Sequence, residues 1–147
     1  MTEQSGTELL GKMARQEPFR RFMNVQILMI APGFAKVQMK VLEDMLNIHG
    51  ITHGGALFGL VDEAFELASN SYGTIAVALN MNITFFAATG VGDVLTAEAK
   101  EISKTRRTAT YQINVTNQAG RLVSTCQALV YRKRDPLPGL AKDEQEN

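Results

Sequence analysis

The run from Asn47 to Phe65, Asn-Ile-His-Gly-Ile-Thr-His-Gly-Gly-Ala-Leu-Phe-Gly-Leu-Val-Asp-Glu-Ala-Phe, gathers the residue types that can act on a carbonyl group. Gly54 and Gly55 open a helical pattern, so their N–H groups fall in a first turn and lack intrahelical acceptors. With no Cβ on either residue, a carbonyl oxygen can come close. Charge developing on that oxygen would meet free amides and the positive end of a helix dipole, the arrangement of an oxyanion hole. The same glycines also suit a purely structural purpose, tight packing where a loop enters a helix.

Asp62 is the first of two adjacent acids in the run, with Phe58 one turn before it and Phe65 nearly one turn after it, both rings on the outer flank of the helix where they need a partner. Covered by a second subunit, such a carboxylate would be desolvated and its basicity raised, which suits a general base or a nucleophile. The alternative is a wet acidic face shared with Glu63 and Glu66. No Lys or Arg stands at helical spacing to pair with these acids, so the face is not an ordinary salt-bridge lattice. Asp62 ranks ahead of Glu63 as the base. His53, taken alone, reads as a helix-entry residue whose ring is satisfied locally. The His49-x-x-x-His53 spacing lies in a loop with Gly50 and has no evident third ligand, so no metal is expected. Lys104, Arg106 and Arg107 cluster in a turn and, by themselves, read as a solvated turn; Arg132, Lys133 and Arg134 form a similar, weaker patch.

These groups need elements to hold them. Thr7 to Met23 has helical spacing, divided by Pro18 into two short pieces. Val25 to Ala31 and Phe34 to Leu42, separated by Pro32-Gly33, read as a hairpin. Glu43 to His53 lacks periodicity and reads as a loop leading into the one long helix, Gly54 to about Ser71. Its apolar stripe centres on Leu57, Val61, Ala64 and Ala68, with Leu60 and Leu67 at the edge, small enough to lie close to a sheet. Ile75 to Ala87, Asp93 to Ser103, Arg107 to Asn117 and Arg121 to Lys133 supply that sheet as antiparallel strands joined by short turns. The order predicts an α+β domain over 1–135, a curved antiparallel sheet around one long helix with an N-terminal helical cap. The tail 136–147 is expected to be disordered.

Composition closes off several other functions. The 147 residues carry fifteen Lys and Arg against fifteen Asp and Glu, so no overall field favours nucleic acid or an anionic membrane. The single cysteine, Cys126, sits in a strand pattern and reads as a buried spectator. Neither a secretory start nor a membrane-length apolar run is visible, and the expected compartment is the cytoplasm.

The run around Asp62 resembles the signature of the phenylacetate-degradation (PaaI-like) type of hot-dog-fold thioesterases. That pattern has Asn, six residues on to His-Gly-Gly, then Leu, then Asp nine residues after the His, then Ala, and every position is filled. Leu79-Asn-Met-Asn-Ile-Thr-Phe-Phe86 and Gly92-Asp93 resemble the following strand and turn, so the likeness covers about Met45 to Tyr131. The resemblance implies a hot-dog fold and hydrolysis of an aryl- or short- to medium-chain acyl-coenzyme A, with Asp62 as general base or nucleophile. It implies an oxyanion hole at Gly54 and Gly55, with Asn47 and His53 orienting the carbonyl or a water. Phe58 and Phe65 are then expected beside the substrate, and Lys104, Arg106 and Arg107 on the coenzyme A phosphates. No cofactor is expected beyond the coenzyme A of the substrate, and the assembly is expected to be a homodimer with shared sites, or a homotetramer built from it. An acyl-thioester dehydratase and a non-catalytic acyl-coenzyme A binding module remain as alternatives. One departure stands out: where some relatives carry a water-orienting Ser on the strand after the helix, this chain has Ala78, leaving Asn80, Thr84 or direct attack by Asp62.

Overall fold

The computed structural model describes residues 3–140, with side chains from residue 6 onward. Helix α1 (Glu3–Arg15) and the short α2 (Pro18–Phe22) come first, with Pro18 in the opening turn of α2 where its missing N–H costs nothing. Strands β1 (Gln26–Ala31) and β2 (Phe34–Lys40) form the expected hairpin. Gly33 makes its turn at φ +70, and a Cβ there would lie 2.5 Å from Glu101 Oε2 and 2.8 Å from the Tyr72 hydroxyl. The loop that follows contains a 3₁₀ turn (Glu43–Met45) and leads to helix α3 (Gly54–Ser69). Strands β3 (Thr74–Phe85), β4 (Val94–Lys104), β5 (Thr108–Thr116) and β6 (Leu122–Pro136) complete the chain.

All six strands join one antiparallel sheet in the order β1-β2-β4-β5-β6-β3. Alternation decides its two faces. Ala35, Val37 and Met39 of β2, Leu95, Ala97 and Ala99 of β4, and Tyr111, Ile113 and Val115 of β5 point into the core. Lys36, Gln38, Thr96 and Glu98 fall on the other face, where Gln38 Nε2 donates to Thr96 Oγ1 at 3.1 Å. Leu57, Leu60, Val61, Ala64, Leu67 and Ala68 of α3 are all buried, as the stripe predicts, and α3 touches every strand. Alanines on both partners let helix and sheet approach, and each fully buried Leu contributes about 1.5–3 kcal/mol. This is the hot-dog arrangement: a sheet curved around one helix.

Three expectations are corrected. Helix α3 stops at Ser69 because Asn70 takes over its end: Nδ2 donates to Glu66 O at 2.9 Å while Oδ1 accepts the Ala76 N–H at 2.9 Å. Phe65 does not lie on the outer flank of α3. It is 1% exposed and meets Tyr111 edge-on, ring centroids 5.7 Å apart, because the curved sheet covers a wider arc of the helix than the apolar stripe alone. The start of the tail is packed: Leu137 and Leu140 are buried, and the Leu137 N–H donates to Gly73 O at 2.9 Å. The rest of the tail, 141–147, lies outside the described residues.

The edge strand β3 departs from alternation. Val77, Ala78, Leu79 and Asn80 are exposed in succession, with a register shift between Ala78 and Asn80. A long edge with Val77, Leu79, Phe85 and Phe86 uncovered is the kind that pairs with another chain. Among the described residues no helix is long and apolar enough to cross a membrane. Cys126 is buried, and burial pushes its thiol up.

Candidate active site

The N-terminus of α3 is fixed from three directions. The His53 N–H donates to Met45 O at 2.7 Å, the Thr52 N–H to Thr89 O at 2.9 Å, and Thr89 Oγ1 to Thr52 Oγ1 at 2.7 Å. Asn47 organises the preceding loop: its Oδ1 accepts from the N–H groups of His49 at 2.9 Å and Ile51 at 3.3 Å. His49 is thereby placed in the loop, exposed, with no part in the clefts described below.

His53 is the N-cap, and its Nδ1 accepts the Gly55 N–H at 2.8 Å. Accepting at Nδ1 leaves Nε2 to carry the proton of the neutral ring. The Gly54 N–H has no acceptor among the described residues. Of the two expected oxyanion donors, Gly54 is thus uncommitted and Gly55 is held by the histidine. Gly54 lines a cleft of about 340 Å³ with Asn47, Ile51, Leu57, Phe85 and Phe86. A Cβ on Gly54 would lie 3.4 Å from Phe85 Cζ, so the end of β3 covers this helix start closely. Nothing in the sequence pattern singled out Phe85 beside Gly54, because their contact is long-range.

Asp62 opens into a second cleft, of about 400 Å³, with Glu17, Phe19, Glu63, Phe65, Glu66, Ala78 and others along its walls. It is half-buried, and no donor or cation bonds it among the described residues. Burial, and after it the charge of Glu17, holds its carboxyl above the usual aspartate range. Ala78 from β3 lines the same cleft, which places the position that departs from the family pattern beside the acid. Phe58 is 37% exposed but lines neither cleft, whereas the buried Phe65 lines the one with Asp62.

The acidic face is only partly wet: Glu66 is exposed, but Glu63 is not. Glu63 is 3% exposed, and burial followed by Glu17, Glu66 and Asp62 pushes its carboxyl up to about 9. Burial, Glu17 and Asp62 push Glu66 up to about 8. Glu17, from the linker between α1 and α2, is the residue that sequence reading missed, since it lies far from Asp62 along the chain.

The expected cationic turn joins β4 to β5, and Lys104, Arg106 and Arg107 are all exposed. It is partly tied down: Lys104 Nζ sits 3.5 Å above the Tyr72 ring, and Arg132 Nη1 donates to Thr105 O at 2.9 Å. Tyr72 follows the C-terminal end of α3, so the turn stands at the opposite end of that helix from Gly54.

Comparison with known proteins agrees with this geometry. The model of the thioesterase superfamily matches residues 49–124. The acyl-coenzyme A thioesterase PaaI of Escherichia coli K12 is 35% identical over 129 residues, covering 88% of this chain and 92% of that protein. The structure of the E. coli PaaI protein from the phenylacetic acid degradation operon superposes with a TM-score of 0.87 at 32% identity, over 92% of this chain and 99% of that one. A "hypothetical thioesterase protein" of Streptococcus pneumoniae TIGR4, solved with coenzyme A, superposes with a TM-score of 0.79 at 29% identity, over 86% of this chain and 98% of that one. With the His-Gly-Gly helix start, the acid two turns on and the sheet wrapped around both, the chain belongs to the thioesterase superfamily, as a hot-dog-fold thioester hydrolase of the PaaI-like type.

Proposed function

We propose that the protein hydrolyses an aryl- or short- to medium-chain acyl-coenzyme A to the free acid and coenzyme A, at composite sites formed between two copies of the chain. One observation carries the composite part: Gly54 and Asp62 line different clefts that share no residue. Eight residues of helix also set them about 12 Å apart along α3. A carbonyl held at the Gly54 end of one chain is then served by Asp62 of the other. The uncovered β3 edge supports such a pairing, since a second copy would satisfy its open hydrogen-bonding row and cover Val77, Leu79 and Phe58. A homotetramer of two such dimers fits the same reading.

In this scheme the thioester oxygen takes the free Gly54 N–H and, by displacing the His53 ring, the Gly55 N–H. Asn47, whose Oδ1 is occupied by the loop, offers its Nδ2 to orient the carbonyl or a water. Asp62 removes a proton from water or attacks the carbonyl carbon itself. Either route suffices for a thioester, because the thiolate leaves without general-acid help. Phe85, Phe86 and Leu57 give the Gly54 cleft an apolar wall whose size suits an aryl or modest acyl group. A relative named an acyl-coenzyme A thioesterase and a neighbour solved with coenzyme A support the same substrate class. No cofactor is required beyond the coenzyme A of the substrate, and a cytoplasmic location is part of the same proposal.

Thiol release from a panel of aryl, short-chain and long-chain acyl-coenzyme A esters tests this reading. Turnover of the first two with little of the third is expected; no turnover of any ester by the folded dimer would leave a binding module. Replacing Lys104, Arg106 and Arg107 together is expected to raise KM for the coenzyme A ester with kcat nearly unchanged, since these cations are remote from the carbonyl. An equal loss on a truncated pantetheine thioester, which lacks the nucleotide phosphates, would remove the turn from the site.

A further inference from the structure

Three carboxylates meet on the wall of the Asp62 cleft, with no cation among the described residues paired to them. One ligand oxygen from each of Glu17, Glu63 and Glu66 lies within 4.8 Å of the others. A cation that binds oxygens at about 2.1–2.5 Å holds its ligands no more than about 4–5 Å apart, so the spacing is that of a coordination shell. Glu63 is 3% exposed, and its Oε2 is buried with no hydrogen-bond partner among the described residues. A buried carboxylate oxygen left in this way is costly unless something positive reaches it.

Arg20, three residues after Glu17, is engaged elsewhere. From α2 it donates to three backbone carbonyls: Ala14 O at 2.7 Å, Val25 O at 2.6 Å and Arg15 O at 2.8 Å. The ion pair found among the described residues, Lys100–Glu98 at 3.1 Å, lies on the outer face of the sheet. Every charged group that acts on Glu63 and Glu66 is another acid: Glu17, Asp62 and, for Glu63, Glu66. Protons shared with Glu17 join it to Glu63 and to Glu66 only one pair at a time. A single ion serves all three residues at once.

We propose that Glu17, Glu63 and Glu66 bind one hard divalent cation of the Mg²⁺, Mn²⁺ or Ca²⁺ class, which ties the α1–α2 linker to α3 beside Asp62. The all-carboxylate donor set selects oxygen-seeking ions over Zn²⁺, which prefers nitrogen and sulfur. Glu17 is the N-cap residue of α2, so fixing it also fixes Phe19, whose ring packs on Gly59 and lines the same cleft. The ion therefore acts as a staple that orders one wall of the Asp62 cleft. Such a site would exist whether or not Asp62 turns over a thioester, and its test reads no turnover.

Titration of the full-length, chelator-treated protein with Mn²⁺, followed by electron paramagnetic resonance of the free ion, measures the site directly. One Mn²⁺ per chain is expected, competed by Mg²⁺ or Ca²⁺, with a matching rise in Tm. Glu17→Gln, on the less buried linker, and Glu63→Gln are each expected to weaken Mn²⁺ binding at least tenfold. No binding at millimolar Mn²⁺ would overturn the proposal, and so would binding that both folded variants retain at parental strength, since the ion would then sit elsewhere.

Discussion

Asp62→Asn lowers kcat by about 10² to 10⁴, the range for losing a positioned base or nucleophile, while KM changes little. The amide is nearly isosteric, and Asp62 forms no hydrogen bond or ion pair among the described residues that the substitution would break. Folding is therefore retained. An amide can neither take a proton from water nor attack the thioester carbon, so the loss falls on the chemical step. The absence of intramolecular partners is itself informative: a carboxylate kept for structure would be bonded, and one held above its usual range by burial is left free to act. Turnover within a few-fold of the parent in folded Asp62→Asn protein, together with its abolition in Glu63→Gln, would move the base by one residue along α3.

Gly54→Pro is expected to lower kcat by about 10² to 10³, the effect of removing one oxyanion donor, whereas Gly54→Ala is expected to cost far less. Proline deletes the one first-turn N–H that the described residues leave unbonded, and it does so where helices accept proline most readily. His53 precedes it with extended backbone at φ −62 and ψ 136, the conformation that a residue before proline favours. Alanine keeps the N–H and adds a methyl group at ordinary contact distance from Phe85. The pair thus separates the hydrogen bond from the space. Equal losses in both variants would assign Gly54 to packing, which is the structural reading that the Gly-Gly start also allows.

Much of the fold was legible because local rules and the global arrangement agree. Pro32-Gly33 marks the hairpin, the Leu57-Val61-Ala64-Ala68 stripe marks the buried helix face, and the β-branched runs separated by glycine or polar turns mark β3 to β6. The nearness of Asp62 to Phe65, Glu63 and Glu66 was legible too, from helical spacing alone, although the cleft they line was not. What escaped reading depends on curvature and distance. A flat helical wheel cannot say that the sheet wraps far enough to bury Phe65 against Tyr111 and Glu63 under the α1–α2 linker. Glu17 and Phe85 reach the site from remote parts of the chain, and no periodicity relates them to Asp62 or Gly54. The bond from Gly55 to His53 Nδ1 was hidden because histidine is an uncommon cap, and its ring reads from sequence only as satisfied somewhere nearby. Leu137 and Leu140 were lost in the polar average of the tail, although two leucines suffice to seat it.

Mixed dimers test the composite site most directly. Asp62→Asn and Gly54→Pro chains, each nearly inactive alone, are unfolded together in equal amounts, refolded and assayed for thiol release from an acyl-coenzyme A ester. If the Gly54 amide of one chain works with Asp62 of the other, each mixed dimer regains one intact site, and turnover returns to about a quarter of the parental value. If both groups act within a single chain, every site in the mixture carries a defect. Turnover no higher than that of the separate variants, in mixtures shown by mass to contain mixed dimers, would contradict the account.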